Sequence, residues 1–223
     1  MSAIIEKLKS KGASSSLVQR CRNTGTELDL DWVADLAINK SAAERRAETL
    51  GGRRTVKKKW QVAWQLKAIS CIDLTTLSGD DTPGRVQRLC KKARYPLRRE
   101  VLEALGAGEI DLSVGAVCVY HSMIPTALEA LADSNIPVAA VSTGFPSGQT
   151  PMETKLREIK ASVRSGAAEI DVVISRAHVL TGNWRALYDE IRAYREACGL
   201  THMKTILGTG DLVTLRNVAR ASA

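Results

Sequence analysis

Several features are absent from this 223-residue chain, and each absence removes a class of protein. No stretch approaches the roughly eighteen consecutive apolar residues of a membrane span. The first twenty residues hold no apolar signal core, which argues against secretion. Five cysteines (Cys21, Cys71, Cys90, Cys118, Cys198) lie far apart and form no C-x-x-C pair. A zinc site is therefore poorly supported, and reduced, mostly buried thiols of a cytoplasmic protein are expected. No run of aromatic residues accompanies the basic clusters, which argues against single-stranded nucleic acid as a partner. No G-x-G-x-x-G follows the first apolar run, which disfavours a dinucleotide fold.

The hydrophobic content of 44% is enough for one substantial core. The net charge of +8 gathers at Arg53, Arg54, Lys57, Lys58 and Lys59, and again from Lys91 to Arg99. Such clusters either attract an anion, such as a phosphorylated metabolite, or form solvated helix faces. The opening MSAIIEKLKSKGASSSLVQRCRN is basic with one acid, Glu6, and fits a frayed terminus or an organellar transit peptide. Helical segments are expected near 29–49 and 55–68. In the second, Thr55 is placed to cap, and Val56, Trp60, Ala63 and Trp64 share a face.

From Ile69 the pattern becomes a strict alternation. Short β-branched runs occur at 69–74, 114–120, 136–142, 169–174 and 203–207, each followed by a helical period. Thr82 and Pro83 open the first such helix, with Val86, Leu89, Cys90 and Ala93 on one side. Thr150, Pro151 and Glu153 have capping-box spacing, ahead of an inner face of Met152, Leu156, Ile159 and Val163. A later helix carries Trp184, Leu187, Tyr188, Ile191 and Tyr194. Thr209 or Asp211 starts the last one. Five strand–helix units in succession predict parallel strands buried on both faces. An open doubly wound sheet and part of an eight-fold barrel both satisfy this pattern.

In parallel α/β folds, chemistry gathers at the carboxyl ends of the strands. Asp73, Cys118, Asp171 and Lys204 are the polar residues embedded in these runs. A carboxylate or ammonium is costly to bury alone, so Asp171 and Lys204 on neighbouring strands are expected to pair. Gly208-Thr-Gly210 reads as an ordinary strand–helix turn, and His121, His178 and His202 as structural or surface residues.

The residues Cys71–Thr82, AVCVY at 116–120, GFPSGQT at 144–150, EIDVVISR at 169–176, LTGNW at 180–184 and MKTILGTGDL at 203–212 resemble the deoxyribose-phosphate aldolase family in order and spacing. TELDLDWV and RRTVKKKWQVAWQLKAI resemble the longer N-terminal region of its animal-type members. The resemblance implies a class I aldolase on a TIM (β/α)8 barrel, with about the first five βα units in residues 69–223 and a helical extension in 1–68. It implies retro-aldol cleavage of 2-deoxy-D-ribose 5-phosphate through a lysine Schiff base, with no metal or organic cofactor. The partner is then a phosphorylated sugar, without a membrane and without nucleic acid, and a homo-oligomer is compatible.

Glu169-Ile-Asp-Val-Val173 matches the motif of the family's proton-relaying aspartate, which implies a catalytic role for Asp171. Asp73, Thr75, Cys118 and Lys204 match the supporting lining of the pocket. His121, Ser175 and Asp211 stand where the family often has proline, asparagine and glutamate. The I-K-T-S-T-G-K motif with the Schiff-base lysine is not found before Ala223. This predicts a chain inactive alone, or a non-catalytic product acting as a binding or interaction protein.

Overall fold

The computed structural model describes residues 25–53 and 56–223, so the basic opening segment and the expected Thr55 cap lie outside the described residues. Contacts divide the described chain into two compact units, one of residues 25–26, 56–118 and 126–137, the other of 27–53, 119–125 and 138–223.

In the first unit, helix α3 (Lys58–Ile69) precedes β1 (Asp73–Thr75). The expected start of this strand at Ile69 gives way to a helix end. Ser70 caps α3, and the Cys71 and Ile72 amides donate to Ala68 and Ile69 carbonyls. Ile69 and Val62 instead pack on Leu66, Leu102, Ala107, Ile110 and Leu112. Because that stripe faces the core, the Val56–Trp60–Trp64 face points outward, with Trp64 64% exposed. Helix α4 (Pro83–Arg94) begins as the sequence predicts, with the Thr82 hydroxyl accepting from Arg85 N and proline in the first turn. Val86, Cys90 and Ala93 are fully buried. After α5 (Arg99–Ala104), the chain enters β2 (Ala116–Val119), which pairs with β1 in parallel, Thr75 opposite Cys118. Helix α6 (Ile124–Ala130) follows.

The second unit opens with α1 (Leu30–Asp35) and α2 (Lys40–Glu48) where one helix was expected. Asn39 explains the break: its side chain accepts from Ala42 N at 2.9 Å and starts a new helix. Strands β3 (Val138–Ser142), β4 (Glu169–Val173) and β5 (His202–Ile206) then pair in parallel, neighbours in sequence being neighbours in the sheet. Helix α7 (Met152–Arg164) joins β3 to β4. Helices α8 (Arg176–Leu180) and α9 (Trp184–Cys198) join β4 to β5, and α10 (Leu215–Ser222) follows β5. Asn183 caps α9 and Thr214 caps α10. Ile174, Val179, Leu187 and Leu212 form a core under α9 and α10.

The expectation of two buried faces holds for β2 and β3, whose residues are all buried. It fails for β1 and β5, where polar Asp73, Thr75, His202 and Thr205 are exposed. No described helix is long and apolar enough to cross a membrane.

Candidate active site

Alternation along β4 puts Glu169 and Asp171 on one face, and the β4–β5 register sets them opposite His202 and Lys204. All four therefore meet. Lys204 Nζ lies 2.7 Å from Glu169 Oε1 and 3.4 Å from Asp171 Oδ1. His202 Nε2 sits 3.3 Å from the other Glu169 oxygen. The Asp171 side chain is only 11% exposed, and the cluster opens to solvent at His202 and Lys204. The expected Asp171–Lys204 pair forms, and Glu169 is a nearer partner that the embedded-polar-residue argument passed over. Its signal was the two-residue spacing from Asp171.

The loops beyond β3, β4 and β5 are tied to one another. Thr143 has a left-handed backbone, φ +62°, and its hydroxyl accepts from Val173 N at 2.6 Å. Gly144, also left-handed, has its amide 2.9 Å from Glu158 Oε2. A Cβ there would stand 2.6 Å from Thr150 Oγ1, so glycine is required. Arg176 follows β4 and reaches both flanking loops. Its guanidinium donates to Pro146 O at 3.2 and 3.3 Å, and its Nε lies 2.9 Å from Asp211 Oδ2. The Gly208 turn packs on the same side chain, where a Cβ would come within 3.3 Å.

Behind these loops sits a buried ionic network that sequence reasoning missed. Lys155 Nζ donates to Glu190 Oε1 at 2.9 Å and to Ser175 Oγ at 2.8 Å. Glu190 also accepts from Ser175 N (2.8 Å), Ser175 Oγ (2.6 Å) and Tyr194 Oη (2.7 Å). Burial alone would raise the Glu190 pKa, but the bonds from Ser175, Lys155 and Tyr194 outweigh it and hold the carboxyl below its usual range. Burial, with Glu190 beside it, pushes the Tyr194 phenol upward. The expected inner face of α7 is accordingly shifted: Lys155, Ile159 and Ser162 are buried, whereas Met152 is exposed. The expected capping box does not form. Pro151 takes the cap position, and among the described residues Thr150 Oγ1 has no hydrogen-bond partner.

In the first unit, Asp73 and Thr75 are exposed on β1, with Thr75 Oγ1 donating to Asp73 O at 2.8 Å. Cys118 is 3% exposed, and its carbonyl accepts from Thr76 N. The loop after β1 is held by Arg85, which contacts Asp80 at 2.7 Å, and by Thr76, which donates to Asp81. Hydrogen bonds from Arg85 and Ser78 bring the Asp80 carboxyl down to about 2. Among the described residues no group of three or more His, Cys, Asp or Glu is placed to hold a metal ion. In the second unit, His121 Nδ1 lies 3.0 Å from Ser162 Oγ.

Comparison with known proteins gives the family of the chain. The chain is 57% identical over 202 residues to the deoxyribose-phosphate aldolase of Homo sapiens, covering 90% of this chain and 64% of the human protein. It is 54% identical over 208 residues to that of Mus musculus, covering 92% of this chain and 65% of the mouse protein. It thus spans less than two thirds of either relative. The fold is shared with a crystal structure of a candidate deoxyribose-phosphate aldolase from Coccidioides immitis, at a TM-score of 0.61 and 20% identity, over 87% of this chain and 67% of that one. That likeness carries the architecture, a βα repeat of the (β/α)8 barrel class. Residues 67–218 match the DeoC/LacD family aldolase pattern, and the chain belongs to that family.

Proposed function

We propose that these residues serve a class I deoxyribose-phosphate aldolase, which cleaves 2-deoxy-D-ribose 5-phosphate to glyceraldehyde 3-phosphate and acetaldehyde without metal or organic cofactor. The observation that carries this reading is Lys204 held between Asp171 and Glu169 on neighbouring parallel strands. In retro-aldol cleavage the third-carbon hydroxyl loses its proton as the bond to the second carbon breaks, and the bonding electrons pass to the second carbon. Asp171 is the base in this reading, acting through water. Lys204 stands beside it, 3.4 Å from Asp171 Oδ1. The motif match assigns Asp73, Thr75 and Cys118 supporting roles in the same reading.

In this reading Lys204 is not the nucleophile, because the motif match sets it on a different strand from the family's Schiff-base lysine; its Nζ contacts Glu169 and Asp171. The Schiff-base lysine is the one in the I-K-T-S-T-G-K motif, which these 223 residues do not contain. In this reading the residues present supply the proton relay. Helices α1 to α3 precede the βα repeat, and the protein acts in the cytoplasm. The test is release of glyceraldehyde 3-phosphate by the intact protein, with Asp171→Asn alongside. Loss of turnover with an unchanged melt is expected, and turnover within a few-fold of the parent removes Asp171 from the mechanism.

A further inference from the structure

The first unit contains a cleft of about 550 Å3 that the proposed reaction does not use. It is built where α4 ends, across α5, and along the segment 108–112 that leads into the amino end of β2. Catalytic groups of parallel folds sit at the opposite, carboxyl ends. The volume suits a small molecule. The floor is apolar, from the buried side chains of Leu102, Ile110 and Leu112. Its wall is fixed to α4, because Val114 N donates to Ala93 O at 3.0 Å.

The polar groups around this floor differ in kind. Tyr95 is 67% exposed, an unusual position for a large aromatic ring. The Arg94 guanidinium sits 5.8 Å from its ring centroid and so covers one face of it. The opposite face can accept a second planar group by stacking. Arg99 is exposed but paired with Glu103 at 3.2 Å, and Arg98 is a second exposed guanidinium on the rim. Arg98 holds the cap position of α5, yet its side chain makes no cap bond. A guanidinium fork in this setting favours a phosphate. Asp111, also exposed and lining the cleft, accepts hydrogen bonds and offers an amino group a partner.

A flat ring, a phosphate and a ring amino group occur together in few metabolites. We propose that this cleft binds a nucleoside 5′-monophosphate whose base carries an exocyclic amino group. The base stacks on Tyr95, the phosphate meets Arg98, and the amino group faces Asp111. A single aromatic platform fits one nucleotide and not a strand, which would need a succession of them.

Titration calorimetry of the purified chain with adenosine 5′-monophosphate tests this without reference to aldolase activity. Saturable one-to-one binding is expected, about tenfold tighter than for inosine 5′-monophosphate or adenosine, each of which lacks one recognised element, and tighter again than for inorganic phosphate, which lacks two. Tyr95→Ala and Arg98→Ala should each weaken binding about tenfold. Asp111→Asn should remove the preference for the adenine over the hypoxanthine nucleotide. All three residues are exposed, so the variants keep the fold, and Trp64→Ala, on the exposed face of α3 and outside the cleft lining, serves as the unaffected control. Absence of saturable heat at millimolar nucleotide overturns the proposal. So does equal affinity for inorganic phosphate, or binding unchanged in the Tyr95 and Arg98 variants.

Discussion

Replacing Lys155 by methionine removes the positive member of a buried pair while keeping most of its volume. Glu190 would then remain only 6% exposed, still bonded to Ser175 N, Ser175 Oγ and Tyr194 Oη, but with no countercharge. Breaking a buried pair from one side costs about 3–5 kcal/mol. The three surviving donors put this case at the lower end, about 3 kcal/mol, a large share of an ordinary domain's stability. In a Glu190→Gln background the acceptor is neutral and needs no ammonium, so the same change should cost only about 1 kcal/mol. Urea titrations of the parent, both single variants and the double variant give the coupling, expected near 2 kcal/mol.

The pH dependence follows the same network. Glu190 has its folded pKa lowered, so its stabilisation is present above the unfolded value of about 4.3 and is lost as pH falls through the folded one. Tyr194 is raised, so its contribution is present below about 10 and lost as pH rises beyond. The acid limb due to Glu190 should vanish in Glu190→Gln. A cost for Lys155→Met that is equal in both backgrounds, or below about 1 kcal/mol, would mean that Lys155 serves only as hydrocarbon filler.

Two further changes probe the site. Gly144→Ala forces a Cβ onto Thr150 at a left-handed position and should cost about 1–3 kcal/mol, whereas Gly210→Ala, with open space around it, should fall within about 0.5 kcal/mol. Thermal melts of the two variants distinguish them, and equal shifts would contradict the strain argument. Lys204→Met in the intact protein should lower turnover while borohydride still traps substrate on the enzyme. Loss of trapping would make Lys204 the nucleophile.

What could be read from the sequence depended on how local the causes were. The runs at β2, β3 and β4 were legible because apolar residues on both faces have few other destinations. Thr82 and Pro83 announced α4 because a cap acts within one turn. Asp171 and Lys204 were expected to meet, and the β4–β5 register brings them opposite one another. Ile69 was misplaced because a β-branched residue fits a helix end once Leu66 and Leu102 offer it a core. Lys155 and Glu190 were invisible for a different reason. A charged residue on an amphipathic helix is ordinarily read as solvent-facing, and only the tertiary meeting of α7 with α9 supplies the partner that lets each be buried.

Asp171 is proposed to move the proton in an aldolase reaction. Its most direct test is the rate of glyceraldehyde 3-phosphate release from 2-deoxy-D-ribose 5-phosphate by the intact protein, compared with Asp171→Asn at matched thermal stability. A fall of about 100-fold or more is predicted, the size of a lost general base. Turnover within a few-fold of the parent, in a variant that melts at the same temperature, would contradict it.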